Sequence, residues 1–358
     1  MATHVFPTRE PEPLSAGKYQ RIAAMGRGGM AEVWLVVARG PGGFSKLLAL
    51  KELRAELCAD PEFVAMFLAE ARLAARLDHP NVVQTYEVGL DGERPCILME
   101  WLEGQPLHLL LRDRARFSLA AYVFVLAEVL TALDYAHGLR DFDDAPLGVV
   151  HRDVTPHNVF VGYDGRVKLM DFGIATVAGA EGLTLTGVVK GKVGYVAPEQ
   201  IMGQPIDQRT DLFSVGVMLW EALVGQRLSV GETRQVAFTK RLQGGHEPVL
   251  KLAPEAPPEL VAVVEQAMAL APEQRFASAS KMRAALEPWL SRQQFDGRSM
   301  ATLLTDAFAE QRHQLRQLIA RQMHVLRADP AGEPALSPLG AGPPSDEGLG
   351  SQSHSSAT

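Results

Sequence analysis

The sequence predicts an α+β fold of two packed units, a small strand-rich one followed by a larger helical one. Three observations carry this. Short apolar or β-branched runs separated by glycine-rich turns fill Tyr19 to Leu102. From Gly104 onward the apolar spacing becomes helical. With 358 residues the chain exceeds the usual range of one core, so a bilobal unit or two domains plus tails is expected.

Residues 1–18 read as a flexible lead-in, with Pro7, Pro11 and Pro13 among charged residues and no apolar run of the kind a signal peptide needs. Ile22–Met25, Val33–Val37 and Leu47–Leu50 read as strands. Pro61–Leu77 reads as a helix, with Phe63, Phe67, Ala71 and Ala74 at helical spacing. Strands near Val82–Val88 and Cys96–Met99 flank the turn at Asp91-Gly92. The first unit therefore covers 19–102 and the second 103–290. In the second, Leu119–Leu139 is a long apolar-periodic helix. Val159–Val161 and Val167–Met170 form a short hairpin around Asp164-Gly165, and helices resume from Asp211 to Leu290. Residues 291–327 form a helical extension in which Leu304, Phe308, Leu315, Leu318, Ile319 and Leu326 make an amphipathic face. That face suits a second copy, a partner, or the chain's own large unit. Pro, Gly and Ser dominate 328–358, the composition of a disordered tail.

Composition narrows the class of function. The 22% charged content is that of a globular protein, and a net charge of −7 argues against a general nucleic-acid binder, which needs a basic face. The two cysteines, Cys58 and Cys96, form neither a disulfide framework nor a zinc cluster, which points to a reducing compartment. No run of about 18 consecutive apolar residues marks a membrane span. A cytoplasmic protein without membrane or nucleic-acid partners is the expectation.

Gly26-Arg27-Gly28-Gly29-Met30-Ala31-Glu32-Val33 lies between two of the strands. Small residues let backbone N–H groups approach phosphate oxygens, although such a hairpin is also simply a turn. It is not a Walker loop, because no Gly-Lys-Ser/Thr follows and the next element is a strand. Eighteen residues after Val33, Lys51 alternates out of the apolar run Leu48-Ala49-Leu50. It suits either an exposed strand face or a nucleotide's phosphates. An ammonium in the second role needs an anionic partner, and Glu70 on the following helix, among apolar neighbours, supplies one. Val150-His151-Arg152-Asp153-Val154-Thr155-Pro156-His157-Asn158 follows, and eighteen residues after Asp153 comes Asp171-Phe172-Gly173.

With these motifs in this order the sequence resembles the protein kinase superfamily, and more closely the eukaryotic-like serine/threonine kinases of bacteria, from Tyr19 to Leu290. The resemblance implies a bilobal kinase fold, with a small antiparallel β-sheet lobe carrying one main helix and a larger helical lobe. It implies transfer of the ATP γ-phosphate to Ser/Thr hydroxyls of protein substrates in signalling, with Mg²⁺. Asp153 would be the proton acceptor. Asn158 and Asp171 would hold Mg²⁺, and Lys51 with Glu70 would place the phosphates. The purine would lie between Val33, Ala49 and Phe160, against the hinge Glu100-Trp101-Leu102, with Met99 guarding the pocket behind. The loop from Gly26 through Arg27, Gly28, Gly29, Met30 and Ala31 would be the lid. Glu199, in Ala197-Pro198-Glu199, would pair with Arg275, and Asp211 would bind catalytic-loop backbone; all three are structural. Pro156 sides with serine/threonine over tyrosine specificity.

Two departures stand out. Ala31 takes the place of the third glycine of the loop, and Thr155 takes the place of the lysine that steadies the γ-phosphate. Lys192, where the family has threonine, is the candidate to supply that ammonium from the activation segment, or else is a solvated loop lysine. Thr184 and Thr186 are the expected autophosphorylation sites, with Arg152 receiving the phosphate. The loop Gly138–Gly148, with Asp141, Asp143 and Asp144, reads as solvated surface or as a docking site for a basic partner.

Overall fold

Two residue periods build the small lobe. Strands β1 (Tyr19–Arg27), β2 (Ala31–Arg39) and β3 (Ser45–Leu53) alternate their side chains between two faces, while α1 (Pro61–Ala74) buries Phe67, Glu70 and Ala71 on one side. Asp60 starts α1 by accepting from the Glu62 N–H, with Pro61 at the first helical position. The structure, a computed structural model, describes residues 19–40, 42, 44–111, 116–172, 193–229, 232–244, 246–328 and 337–338. Strands β4 (Thr85–Asp91) and β5 (Arg94–Glu100) complete the antiparallel sheet.

The large lobe begins with β6 (Gly104–Pro106), α2 (Leu107–Leu110) and α3 (Leu119–His137), then the hairpin β7 (Val159–Gly162) and β8 (Val167–Leu169). Helices α4 (Pro198–Ile201), α5 (Arg209–Val224), α6 (Arg234–Leu242), α7 (Val249–Leu252), α8 (Pro258–Ala267) and α9 (Ala279–Gln293) follow. After them come α10 (Gly297–Ala307) and α11 (Ala309–Ala328), and a two-residue strand, β9 (Ser337–Pro338). The sheet order is β4-β5-β3-β2-β1-β9, with β9 parallel to β1; β6-β7-β8 form a second sheet.

Register defines a functional face. Val33 stands opposite Lys51, Leu35 opposite Ala49, and Ala49 opposite Met99, so these side chains share one side of the sheet. At one end of that side Ala31, Leu53 and Ile97 pack with Phe67 and Ala71 of α1. At the other end Leu35 and Val37 pack with Ile22, Ala23 and Leu326 of α11. The reverse side holds Val36, Leu48, Leu50, Cys96 and Leu98 as a separate cluster.

The main core lies in the large lobe around α3, α5, α8 and α9. Helix α3 is long and apolar enough to cross a membrane by length and composition, although Glu128 and Asp134 interrupt any run of consecutive apolar residues. Its residues from Ala121 to Ala136 are mostly buried in this core, among them Val123, Val129 and Leu133.

Some elements differ from the sequence expectation. Helix α9 runs on past Leu290 to Gln293. The strand expected from Val82 starts at Thr85, because Val82 makes a bridge to Leu169 instead. Ser337–Pro338, expected to be unstructured, pairs with Ala23 and Ala24 of β1. Within the extension, α10 buries Met300 and Leu304 in the large-lobe core, while α11 crosses to the small lobe. Its apolar face is thus taken by the chain itself.

The end of α1 is tied to the large lobe. Arg76 donates to Asp141 at 2.8 Å, the Asp78 N–H donates to the Tyr135 hydroxyl, and His79 stacks on Tyr135 with ring centroids 4.8 Å apart. The Gly138–Gly148 loop is therefore an internal brace at Asp141, while the exposed Asp143 carboxylate accepts from the Ala145 N–H within its own turn.

Candidate active site

The cleft between the lobes gathers charged groups from β3, α1, the segment after α3 and the residues after β8. On β3, Lys51 donates to Glu70 Oε1 at 2.6 Å and to Asp171 Oδ1 at 2.8 Å. Burial opposes the Lys51 charge, but Asp171 and Glu70 outweigh it and hold the ammonium well above the ordinary lysine range. Asp171 reaches this position through a left-handed backbone, φ 54°, a conformation rare outside glycine.

Across the cleft, Asn158 donates from Nδ2 to both the carbonyl and the carboxylate of Asp153, each at 2.8 Å. The Met170 N–H donates to the Asn158 carbonyl at 2.8 Å, so the Asp153 segment and the strand leading to Asp171 share a register. His151 fixes the turn between them. Its Nε2 donates to the Met170 carbonyl, its Nδ1 accepts from the Asp153 N–H, and its ring packs 4.5 Å from Phe172. Asp211 of α5, fully buried, accepts from the His151 and Arg152 N–H groups at 2.8 Å and from His137 Nε2 at 2.8 Å. This holds Arg152 at φ 69°.

A phosphate-bearing ligand with a hard divalent cation fits this donor set. The Asn158 side-chain oxygen makes no hydrogen bond among the described residues, and Asp171 presents a carboxylate beside a fixed ammonium. Mg²⁺ is held through one or two such oxygens plus the substrate's phosphates, so no protein cage is required.

The structure places the glycine loop at the β1–β2 turn, where the Gly28 N–H donates to the Ala31 carbonyl at 2.8 Å. Gly26 and Gly29 have nothing within 4 Å of an added Cβ, so the roof of the cleft is open there. Ala31 is explained by packing. Its methyl is buried against Leu53 and Phe67, which joins the root of the loop to α1. Arg27 instead pairs at the surface with Glu32 and Glu56.

Behind the cleft, the Glu100 side chain is turned inward. It accepts from the Gln84 N–H and from Lys168, which also donates to the Val82 carbonyl. The Glu100 carboxylate is therefore occupied, and what remains at this segment for a purine is backbone. Leu102 makes no hydrogen bond among the described residues. Phe160 of β7 lies against Gly104, where a Cβ would come 2.8 Å from the Phe160 ring and 2.1 Å from the Val161 carbonyl. Lys168 was not anticipated; its alternation with the buried Val167 and Leu169 on β8 was the available signal.

Thr155 is 2% exposed, and its hydroxyl has no partner among the described residues. No ammonium from the described residues replaces the missing lysine beside Asp153. Lys192, Thr184 and Thr186 lie outside the described residues. The Arg152 guanidinium is half-buried, its Nε is without a hydrogen bond among the described residues, and burial pulls it below the usual arginine range. Farther out, Arg275 grips Glu199 through both terminal nitrogens at 2.7 and 2.8 Å, and Thr210 adds a hydrogen bond at 2.8 Å. Gln200 of α4 donates to the Arg152 carbonyl, which joins this buried pair to the Asp153 segment.

Comparison with known proteins gives the same family throughout. A solved relative, the kinase domain of Mycobacterium tuberculosis PknI, superposes with a TM-score of 0.58 at 28% identity, over 78% of this chain and 99% of that one. Among curated proteins, the tyrosine-protein kinase MasK of Myxococcus xanthus is 40% identical over 77% of this chain and 43% of its own length. The serine/threonine-protein kinase PknA of Mycobacterium tuberculosis is 34% identical over 74% of this chain and 59% of its own length. The chain thus spans roughly two to three fifths of these curated relatives. The family model described as protein kinase domain matches residues 19–290, and the chain belongs to that family.

Proposed function

We propose that this chain is an ATP-dependent serine/threonine protein kinase that works with Mg²⁺ and phosphorylates other proteins in cytoplasmic signalling. The observation that carries the reading is the single cleft joining Lys51, Glu70 and Asp171 to Asp153 and Asn158. Pseudokinase scaffolds typically lose one of these groups. Asp153 receives the proton of the acceptor hydroxyl, and its carboxylate is oriented for this by Asn158. Lys51, held by Glu70, balances charge on the nucleotide's phosphates from a water-poor site. Asn158 and Asp171 would hold Mg²⁺, which neutralises charge on the transferred phosphoryl group when bound.

Lys192 is proposed to bring its ammonium to the γ-phosphate from the activation segment, in place of the residue that Thr155 replaces. Thr184 and Thr186 are proposed as autophosphorylation sites, with Arg152 as the cation that receives the phosphate. A tyrosine acceptor is the second reading, favoured by the name of the relative at 40% identity. Incubation with labelled ATP and Mg²⁺, with Asp153→Asn alongside, tests the proposal. Label on serine or threonine of the wild type alone supports it. Label on tyrosine alone selects the second reading, and no label on the wild type overturns both.

A further inference from the structure

Helices α1 and α11 pack on the same side of the small-lobe sheet and flank the nucleotide cleft from opposite ends. α1 contributes Glu70 to the site. α11 contributes nothing that reaches a phosphate, yet it holds the segment joining the two lobes. Arg312 donates to Glu103 Oε1 at 3.0 Å; Arg316 donates to the same oxygen at 2.7 Å and to Oε2 at 3.2 Å. Glu103 follows directly on Glu100-Trp101-Leu102. Its carbonyl accepts from the Tyr163 N–H at 2.9 Å, so its backbone belongs to the large lobe while its side chain belongs to α11. The Arg312 guanidinium also lies 4.6 Å above the Tyr163 ring.

Both ends of the extension are anchored. At the start of α10, Gly297 sits on the β7–β8 turn so closely that a Cβ at Gly165 would come 1.8 Å from the Gly297 carbonyl. Beyond Arg316, Leu318, Ile319, Met323 and Leu326 pack on Ile22, Leu35, Val37, Leu47 and Trp101. Arg39 then donates to the Leu326 carbonyl at 2.7 Å. Leu35 stands opposite Ala49 in the sheet, so the surface α11 covers continues into the purine roof.

We infer that α11 is part of the framework of the nucleotide site, with Arg312 and Arg316 acting through Glu103 as positioning residues that set the lobe connection for purine binding. The inference rests on the kinase reading above. Burial raises the Glu103 carboxyl, but the hydrogen bonds from Arg316 and Arg312 outweigh it and hold the group below the usual range, so the carboxylate is charged where the contact operates.

The test uses the full chain carrying Arg312→Ala and Arg316→Ala. Two partly exposed ion pairs should raise KM for MgATP roughly 3- to 10-fold, with kcat within about twofold of wild type. Calorimetric titration with MgATP in an Asp153→Asn background should show the same rise in Kd, and Arg316→Lys should keep part of the affinity. If the double variant does not fold, Glu103→Gln takes its place and should give a smaller rise in the same direction. Unchanged KM and Kd in a folded variant overturn the inference, as does a lower melting temperature without any change in KM. A wild type that binds MgATP but transfers no phosphate counts against the kinase reading, while the Kd comparison still decides the role of α11.

Discussion

Asn158 holds Asp153 at two points, the carbonyl and the carboxylate, each 2.8 Å from the same side-chain nitrogen. One amide therefore fixes both the backbone and the rotamer of the proposed proton acceptor. Its oxygen makes no hydrogen bond among the described residues. Replacing Asp153 by Asn should lower phosphoryl transfer by about 10²- to 10⁴-fold, the range for a positioned general base, with the melting temperature near wild type. Asn158→Ala should lower transfer too, and its loss should exceed what a change in MgATP affinity alone explains.

Lys51→Met removes the cation between Glu70 and Asp171 and leaves two carboxylates facing one another. Transfer should fall below detection of a standard labelling assay. Glu70→Gln keeps a polar contact to the ammonium and should retain measurable activity. Equal loss in the two variants would count against Glu70 acting through Lys51.

The Glu199–Arg275 pair sets an acid-side stability limit. Burial raises the Glu199 carboxyl, but hydrogen bonds and charge from Arg275 outweigh it and hold the group below the usual range. A depressed folded pKa contributes stability above the unfolded carboxylate value of about 4.3, and that stability is lost as pH falls toward the folded value. Glu199→Gln should flatten the decline of melting temperature below about pH 5. Removing the charge of one buried partner should cost about 3–5 kcal/mol near neutral pH, measured by urea unfolding.

Gly104→Ala puts a methyl 2.1 Å from the Val161 carbonyl and 2.8 Å from the Phe160 ring. Backbone cannot yield there without parting β6 from β7, so the variant should melt lower and bind MgATP more weakly.

Lys192→Ala decides whether the activation segment lends its ammonium to the site. A loss of kcat with KM for MgATP little changed is expected; full activity would sink the idea.

Much of this was legible in the sequence because the cleft residues lie in short motifs that, in their order, resemble those of the protein kinase superfamily. The roles expected of Lys51, Asp153, Asn158 and Asp171 came from that resemblance, and the structure supplies the contact of Lys51 with Asp171, 120 residues apart. The α11 contacts were not legible: the amphipathic stripe of Leu318, Ile319 and Leu326 announces a partner surface without naming it. The partner turned out to be strands almost 300 residues earlier in the chain. Lys168 escaped for the opposite reason, since a lysine in a short apolar strand reads as an exposed edge until the Glu100 carboxylate is seen behind it. Ala31 looked like a lost glycine and is a packing residue.

The tie between Arg76 and Asp141 gives α1 a fulcrum. Glu70 lies six residues before Arg76, about 9 Å along a helical axis at 1.5 Å per residue. With that end pinned, a tilt of α1 by about 10° would carry the Glu70 backbone roughly 1.6 Å over that arm. That displacement is enough to part a carboxylate from an ammonium 2.6 Å away. A change at the Arg76–Asp141 tie, outside the cleft, would thus reach the Lys51 contact through the helix.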